Sequence, residues 1–414
     1  MASPTSRDDF VRWDEEDTLA PCRERFVVPP GIIYLDGNSL GATPAGVLPA
    51  VTRTIEEEWS RDLIRSWTAH HWIDLPLTVG ATIARLVGAA PEDVLVADST
   101  SVNLFRLICV ALGLRPDRRA VLLEKDNFPA DNYVAQGVAE LLGDRAELRV
   151  VDGDRLATEV NGDVALVVAS HVDFRTGRML DMPSVTRAVH EHKALMLWDL
   201  SHSAGVVPVA LEADDVDFAV GCGYKYLNGG PGAPSFLYVH RRWQETATPP
   251  FFGWLGHASP FALEPRWQPA AGIRKFLGGT PPILSMVALR AALAAFDGID
   301  VRAVRAKSLA LTSRFIDLVD ERCARHGVRV VTPREQARRG SQVSVAFEHA
   351  YPAVQAMIAR GVIGDFRAPD LMRFGFAPLY VRYADVWDAV AVMDDVLSSR
   401  AWDRPEFLRR QYVT

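Results

Sequence analysis

The sequence lacks any uninterrupted stretch of 18 apolar residues, so no segment reads as a membrane-spanning helix. It also lacks a GxxxxGKS/T element and a GxGxxG turn after a strand, which argues against a nucleotide triphosphate loop and a dinucleotide site. Cysteine is scarce: Cys22, Cys109, Cys222 and Cys323 lie far apart, with no CxxC or metal-ligand spacing. Reduced, buried thiols are expected rather than disulfides or a zinc site. Histidines cluster only at "HEH" (190–192) and His70–His71, where surface positions explain them, so no metal is expected. An excess of basic charge is missing as well. A net charge of −7 is wrong for a nucleic-acid or anionic-membrane partner. The ten tryptophans are scattered and build no stacking platform. The opening "MASPTSRDDFVRWDEED" is polar and acidic, unlike a secretory signal, so a soluble, cytoplasmic protein is expected.

What is present is ample apolar material: 49% of 414 residues are hydrophobic and 23% charged, enough for a well-buried core in more than one domain. Residues 8–30 read as an amphipathic helix ended by the proline-marked "FVVPPG". Residues 44–70 read as one long helix, with Val47, Val51, Ile55 and Trp59 on its apolar side. Seven short apolar runs follow: 93–98, 120–125, 147–151, 164–171, 194–199, 216–222 and 235–240. They barely alternate, as strands covered on both faces should, and helix-length segments separate most of them. The fold class expected is α/β, with a mainly parallel mixed sheet flanked by helices. After a Gly/Pro-rich segment (249–285) comes a helical stretch (284–325), then "VRVVTP", "SQVSVAFE" and "GVIGDFRAP". These suit a smaller α+β domain. The expected division is an N-terminal arm (1–45) joining the small domain, a large domain (46–285) and a small C-terminal domain (286–414).

Open α/β sheets bind ligands outside the carboxyl ends of their strands, so the polar residues there come first. "ADSTSVNLFR" opens a helix with Ser99, Thr100 and Ser101, either a phosphate cradle or an ordinary N-cap. "DNFPADNYV" brings Phe128 and Asp131 to a bent turn, where the ring can stack on a flat cofactor or anchor the loop. Asp199 closes the apolar "ALMLWD", facing a cation or capping a helix, with His202 three residues on. Lys225 sits in "GCGYKYLNGGPG", among glycines and without another charge. A lysine desolvated among small residues can form a Schiff base with an aldehyde. Amine, acid, ring and helix N-terminus together are what pyridoxal phosphate needs.

Seven motifs carry a resemblance: "YLDGNSLG" (34–41), "DSTSVNLF" (98–105), "FPADNYVAQG" (128–137), "WDLSHSAG" (198–205), "GCGYKYLNGGPG" (221–232), "GGTPPILSM" (278–286) and "GVIGDFRAPDLMRFGFAPLYVRYADVW" (361–387). In these the chain resembles kynureninases of the bacterial type, over about residues 30 to 390. The resemblance implies the fold of type I pyridoxal-phosphate enzymes and hydrolytic Cβ–Cγ cleavage of L-kynurenine to anthranilate and L-alanine. It implies that Lys225 holds the cofactor covalently, that Asp199 pairs with the pyridine nitrogen beside His202, and that Phe128 stacks on the ring with Asp131 in the same loop. Thr100, Ser101 and Tyr224 would meet the phosphate region and Ser170 would lie near the ring. Tyr224 could also relay a proton to the substrate carbonyl. A homodimer with shared sites would bring Trp254 and Thr280 to the phosphate of the other subunit, and Arg373 would grip the substrate α-carboxylate. Trp67 and Gly279–Thr280 would border the aryl ring, favouring kynurenine over its 3-hydroxy form, with His70 or His71 competing for the place of Trp67. Ser39, in the first motif, is counted with the substrate residues. Tryptophan breakdown or NAD biosynthesis are the pathways such a reaction would serve. The alternatives are another enzyme of the same fold type, a cysteine desulfurase or aminotransferase, or a non-catalytic homologue. Neither Cys222 nor Cys323 lies in the mobile glycine-rich loop a desulfurase requires.

Overall fold

The computed structural model describes residues 6–410, and the chain separates into two compact units. The larger comprises Val47–Asp173 and Leu180–Leu293. The smaller comprises the chain up to Gly46, the short segment Phe174–Met179 and everything from Ala294 onward.

All seven apolar runs of the larger unit are strands of one sheet: β1 Val94–Val96, β2 Ala120–Glu124, β3 Glu147–Val151, β4 Val164–Ser170, β5 Leu195–Asp199, β6 Phe218–Gly221 and β7 Phe236–Val239. Their order is β1-β7-β6-β5-β4-β2-β3, with β7 alone antiparallel to its neighbours. Every residue of β4 and β5 is buried, whereas the edge strand β3 is half-exposed. Alternate residues form one apolar face: Val121 and Leu123, Leu195 and Leu197, Phe218 and Val220, Leu237 and Val239. Helix α1 (Thr100–Leu114) lays Leu104, Leu107, Ile108 and Ala111 against it, at helical spacing, and helix α2 (Pro129–Leu142) adds Ala135 and Val138. Each such leucine, isoleucine, valine or phenylalanine contributes about 1.5–3 kcal/mol on burial, which fixes the strand ends where the polar residues sit.

The smaller unit holds an antiparallel sheet of four strands in the order Arg329–Val330, Gln342–Ala346, Leu371–Gly375, Asp365–Arg367. Ile33–Tyr34 pairs in parallel with Val362–Ile363. The N-terminal helix packs Phe10 against Trp387, 5.2 Å between ring centroids, and Asp17 pairs with Lys307 at 2.7 Å in the interior.

Three helical expectations need correction. The first helix covers only Arg7–Glu15, followed by a 3-10 turn (Ala20–Arg25) and a strand at Phe26–Val27. The stretch 44–70 is not one helix. An α-helix (Val47–Arg53) widens into a π-helix (Thr54–Asp62), and the chain turns at Leu63, whose φ is +53°. The widening rotates the face, so Thr54 and Glu58 are buried while Ile55 and Trp59 are exposed. Glu58 is satisfied inside by the Trp72 indole, which donates at 2.7 Å. The stretch 284–325 breaks at Gly298 (φ +74°), and Asp300 then caps Val301–Leu318 by accepting from Arg302 N–H. Among the described residues no helix is long and apolar enough to cross a membrane, and no group of three metal-ligating side chains gathers.

Candidate active site

The carboxyl ends of the parallel strands converge on a cavity of about 150 Å³. Register puts Ser170, the last residue of β4, opposite Asp199, the last of β5. The turn after β6 carries Tyr224 and Lys225, the loop after β1 delivers Thr100 and Ser101, and the loop after β2 delivers Phe128 and Asp131. These seven last-named residues, Asp199 included, all line the cavity. Of the other expected residues, His202 and Ser170 are buried beside it without lining it. Trp254, Gly279, Thr280 and Trp67, in the same unit, do not reach it. Trp254 is exposed, edge-on to Phe261, Thr280 and Gly279 are exposed, and half-buried Trp67 stands edge-on to Trp72.

The turn around Lys225 shows why its sequence is glycine-dense. A Cβ on Gly223 would lie 2.4 Å from the Pro234 carbonyl oxygen, and one on Gly229 would lie 2.7 Å from the Gly223 oxygen. The glycines let the turn fold back on itself, a packing demand separate from ligand access. The Lys225 amine then points between two rings, 5.6 Å from the centroid of Phe128 and 6.0 Å from that of Tyr224.

Two acids face this amine. Burial pushes the Asp199 carboxyl up, against the pull of Lys225 and of the Ser201 N–H, which donates to Oδ1 at 2.8 Å. Burial raises Asp131 much further, the neighbouring Asp199 charge adds to it, and Lys225 with the Ser170 hydroxyl only partly offsets them. The Asp131 Oδ2 is buried without a hydrogen-bond partner. A buried oxygen in that state calls for a donor from a bound molecule. Burial, then Cys222 and Asp199, raises the Tyr224 phenol, so it keeps its proton and can donate one.

At the other end of the cavity, Ser99 caps α1 by accepting from Val102 N–H at 3.4 Å. The Thr100 hydroxyl donates to Ser235 Oγ at 3.3 Å, and Ser235 donates to the Gly221 carbonyl at 2.8 Å, tying the helix start to β6. An anion fits this N-terminus through free backbone N–H groups and the hydroxyls of Thr100 and Ser101. An amine for an aldehyde, a buried acid for a ring nitrogen, an orphaned acid oxygen and an anion cradle together fit pyridoxal phosphate.

Sequence reasoning missed two supporting residues. Asn127 donates to the Val168 carbonyl at 3.1 Å and accepts from Ser170 N–H at 2.8 Å, pinning the Phe128 loop to β4. Asp98, at φ +47°, pairs at 2.6 Å with the buried Arg106, which lies 4.5 Å over the Phe251 ring. Both stand in quoted motifs; the partners of Asn127 lie on a distant strand, and although Arg106 closes the same stretch as Asp98, no local pattern marks the two as a pair.

In the smaller unit, Arg373 is buried and shares its guanidinium among several acceptors. Nε donates to Asp365 Oδ1 at 2.8 Å, one terminal nitrogen donates to Ser39 Oγ at 2.7 Å and to Asp365 Oδ2, and the other donates to the Phe174 carbonyl. Ser39 in turn donates to Asp365 Oδ2 at 2.8 Å. Asp365 is thus the residue that holds Ser39 and Arg373 together, and no sequence signal pointed to it.

A sequence model of the family described as "Kynureninase C-terminal domain" matches residues 304–393. A kynureninase of Burkholderia mallei (strain SAVP1) is 48% identical over 414 residues, covering 99% of this chain and all of its own. One of Pseudomonas fluorescens is 46% identical over 415 residues, with 99% of this chain covered and all of its own. Among solved structures, the cysteine desulfurase CsdA of Escherichia coli superposes with a TM-score of 0.78 at 18% identity, over 92% of this chain and 99% of its own. A mutant of C-DES with glycine covalently linked to its PLP cofactor gives 0.76 at 18% identity, over 90% and 99%. At that identity these structures speak for the fold, that of type I pyridoxal-phosphate enzymes.

Proposed function

The chain belongs to the kynureninase family and is a pyridoxal-phosphate-dependent hydrolase of carbon–carbon bonds, and we propose that Lys225, Asp199 and Arg373 carry its chemistry. The reaction is the hydrolysis of L-kynurenine to anthranilate and L-alanine. One observation supports the residue assignment above the others: a single amine, Lys225, stands with two buried acids in one cavity at the ends of parallel strands.

The bound cofactor supplies an electron sink for negative charge at the substrate Cα. Lys225 would hold it at its aldehyde and is placed to move the proton at the substrate Cα. Asp199 would meet the ring nitrogen, and its carboxylate charge would keep that nitrogen protonated. Thr100, Ser101 and the α1 N-terminus hold the phosphate. Phe128 would stack on the ring with Asp131 in the same loop, Ser170 would lie near the ring, and His202 would stand beside Asp199. Tyr224, which retains its proton, donates to the carbonyl oxygen as water attacks the γ-carbon. Arg373 and Ser39 take the α-carboxylate.

The preference is for kynurenine over 3-hydroxykynurenine. The apolar ring of Trp67 with Gly279 suits an unsubstituted aryl group, since a buried ring hydroxyl left without a partner would cost about 1–3 kcal/mol. A homodimer is the working assembly, in which Trp254 and Thr280 serve the site of the other subunit. The exposure of both supports this, as do exposed Leu48, Trp59, Leu63 and Ile64. A soluble cytoplasmic enzyme of tryptophan breakdown fits the acidic charge balance. The test is to incubate purified protein with kynurenine and with 3-hydroxykynurenine and follow anthranilate fluorescence and substrate loss. Anthranilate formation with a visible absorbance bleached by borohydride is expected. Absence of both would overturn the reading. Hybrids of Lys225→Ala and Thr280→Ala chains should recover activity that neither parent has, if sites are shared.

A further inference from the structure

The loop that opens α1 carries an acid where an anion is to bind. Asp98 stands two residues before Thr100, no more than about 7 Å of chain from the groups that would cradle a phosphate. A free carboxylate there would repel it. Yet Ser99, Thr100 and Ser101 line the cavity and Asp98 does not. Its backbone turns at φ +47°, a left-handed bend open mainly to glycine, asparagine and aspartate, and its carbonyl accepts from Ser235 N–H at 2.9 Å. The carboxylate meets Arg106 instead, with 2.6 Å between Oδ2 and Nη2.

Arg106 is a strange side chain for its place. It lies in the second turn of α1 with its side chain 1% exposed, and its Nε has no hydrogen-bond partner. One terminal nitrogen holds Asp98. The other donates to Asn103 Oδ1 at 2.8 Å, and Asn103 Nδ2 donates to the Ala97 carbonyl at 2.8 Å. The guanidinium thus grips the loop at two successive residues. The Phe251 ring closes over it at 4.5 Å, and a Cβ on Gly278 would lie 3.0 Å from Nη2 and 3.7 Å from Asp98 Oδ2. An arginine sealed from water beside a half-exposed acid is a poor source of stability.

We propose that Arg106 is a positioning residue for the cofactor phosphate: it draws the Asp98 carboxylate out of the anion site and neutralises it, leaving the α1 N-terminus open to the phosphate. The inference rests on the reading that places this phosphate at Thr100 and Ser101. Arg106 does not itself line the cavity, so its effect runs through Asp98. Removing the cation alone releases a carboxylate toward the phosphate. Removing cation and carboxylate together takes the repulsion away again.

The experiment titrates the full-length protein, freed of cofactor, with pyridoxal phosphate and with pyridoxal, which has the same ring and aldehyde but no phosphate. Visible absorbance gives both dissociation constants, and their ratio isolates what the phosphate contributes. The variants are Arg106→Leu, Arg106→Lys, Arg106→Leu combined with Asp98→Asn, and Thr100→Ala as a marker of the cradle. For Arg106→Leu the constant for pyridoxal phosphate should rise about tenfold or more, while that for pyridoxal changes less than about twofold. Arg106→Lys should keep part of the preference for the phosphate ester. The double variant should regain most of what Arg106→Leu loses. A merely structural role would weaken both aldehydes alike and leave the double variant no better. A ratio unchanged in Arg106→Leu, a loss shared equally by both aldehydes, or no recovery in the double variant overturns the proposal. If Thr100→Ala leaves the ratio unchanged, the phosphate lies elsewhere, and the cradle reading falls together with the proposal. If Thr100→Ala lowers the ratio and Arg106→Leu does not, the cradle stands and only the role of Arg106 falls. Should Arg106→Leu fail to fold, Arg106→Met with and without Asp98→Asn carries the same comparison.

Discussion

Each unit buries a pair of acids among cations, and the two pairs behave differently. In the larger unit Asp131 and Asp199 share one lysine, and burial wins at both: each carboxyl rises. In the smaller unit Asp36 and Asp365 share two arginines. There one acid falls and the other rises. The difference lies in the number and permanence of the cations. A guanidinium keeps its charge at any working pH and forks onto both oxygens of a carboxylate, so one acid is fixed as an anion. A single amine cannot hold two acids ionised in a dry cavity, and it leaves room for a charged ring to finish the work. In the second arrangement one carboxyl is held as an anion while its neighbour keeps its proton to about pH 8.

That contrast can be broken, most severely at Lys225. Lys225→Ala should lower anthranilate production on the order of 10³-fold or more and abolish the borohydride-sensitive absorbance. Residual turnover within tenfold of the unaltered protein would mean the amine is not the anchor. Next comes Asp365→Asn, which strips the buried Arg373 and the partly exposed Arg367 of their shared carboxylate. About 3 kcal/mol of stability should disappear in urea unfolding, against under about 1 kcal/mol for a surface pair. Asp199→Asn keeps the shape and removes the charge, so kcat should drop about 100-fold with little change in stability. A subtler probe is Asp36→Asn. The folded state keeps the Asp36 proton to about pH 8, whereas an unfolded chain releases it near ~4. Between those values the folded state binds more protons, so stability falls as pH rises and levels off above the window. The asparagine variant should lose that decline and gain about 3 °C or more in Tm at pH 8, with little gain at pH 4. Smallest of all, Trp67→His should raise activity on 3-hydroxykynurenine relative to kynurenine a few-fold, about 1 kcal/mol in preference. An unchanged ratio would remove Trp67 from the aryl pocket.

How much of this was legible in the sequence depended on the reach of each interaction. The seven strands of the sheet were readable because burial on both faces leaves unbroken Val and Leu runs, and their polar ends pointed to Thr100, Asp131, Asp199 and Lys225. Such signals are local. The stretch 44–70 misled for the opposite reason. Ile55 and Trp59 looked like an inward face, but the π-helical turn displaces the register, and Thr54 and Glu58 go inside. Nothing in composition marks that change of pitch. The arginine cluster was the least legible part, since Ser39 and Asp365 are separated by 326 residues. Resemblance supplied Arg373, but Asp365 followed from no motif.

The short segment Phe174–Met179 belongs to the smaller unit although the chain on both sides of it belongs to the larger. Its backbone oxygens accept from Arg373, from Ser344 and from Thr332. A gene fragment starting at Ala294 would therefore encode the sheet yet omit the acceptors its interior donors require. Domain exchange with a relative would have to transplant three separate pieces of sequence, and this interleaving ties the two units to a shared fate under recombination.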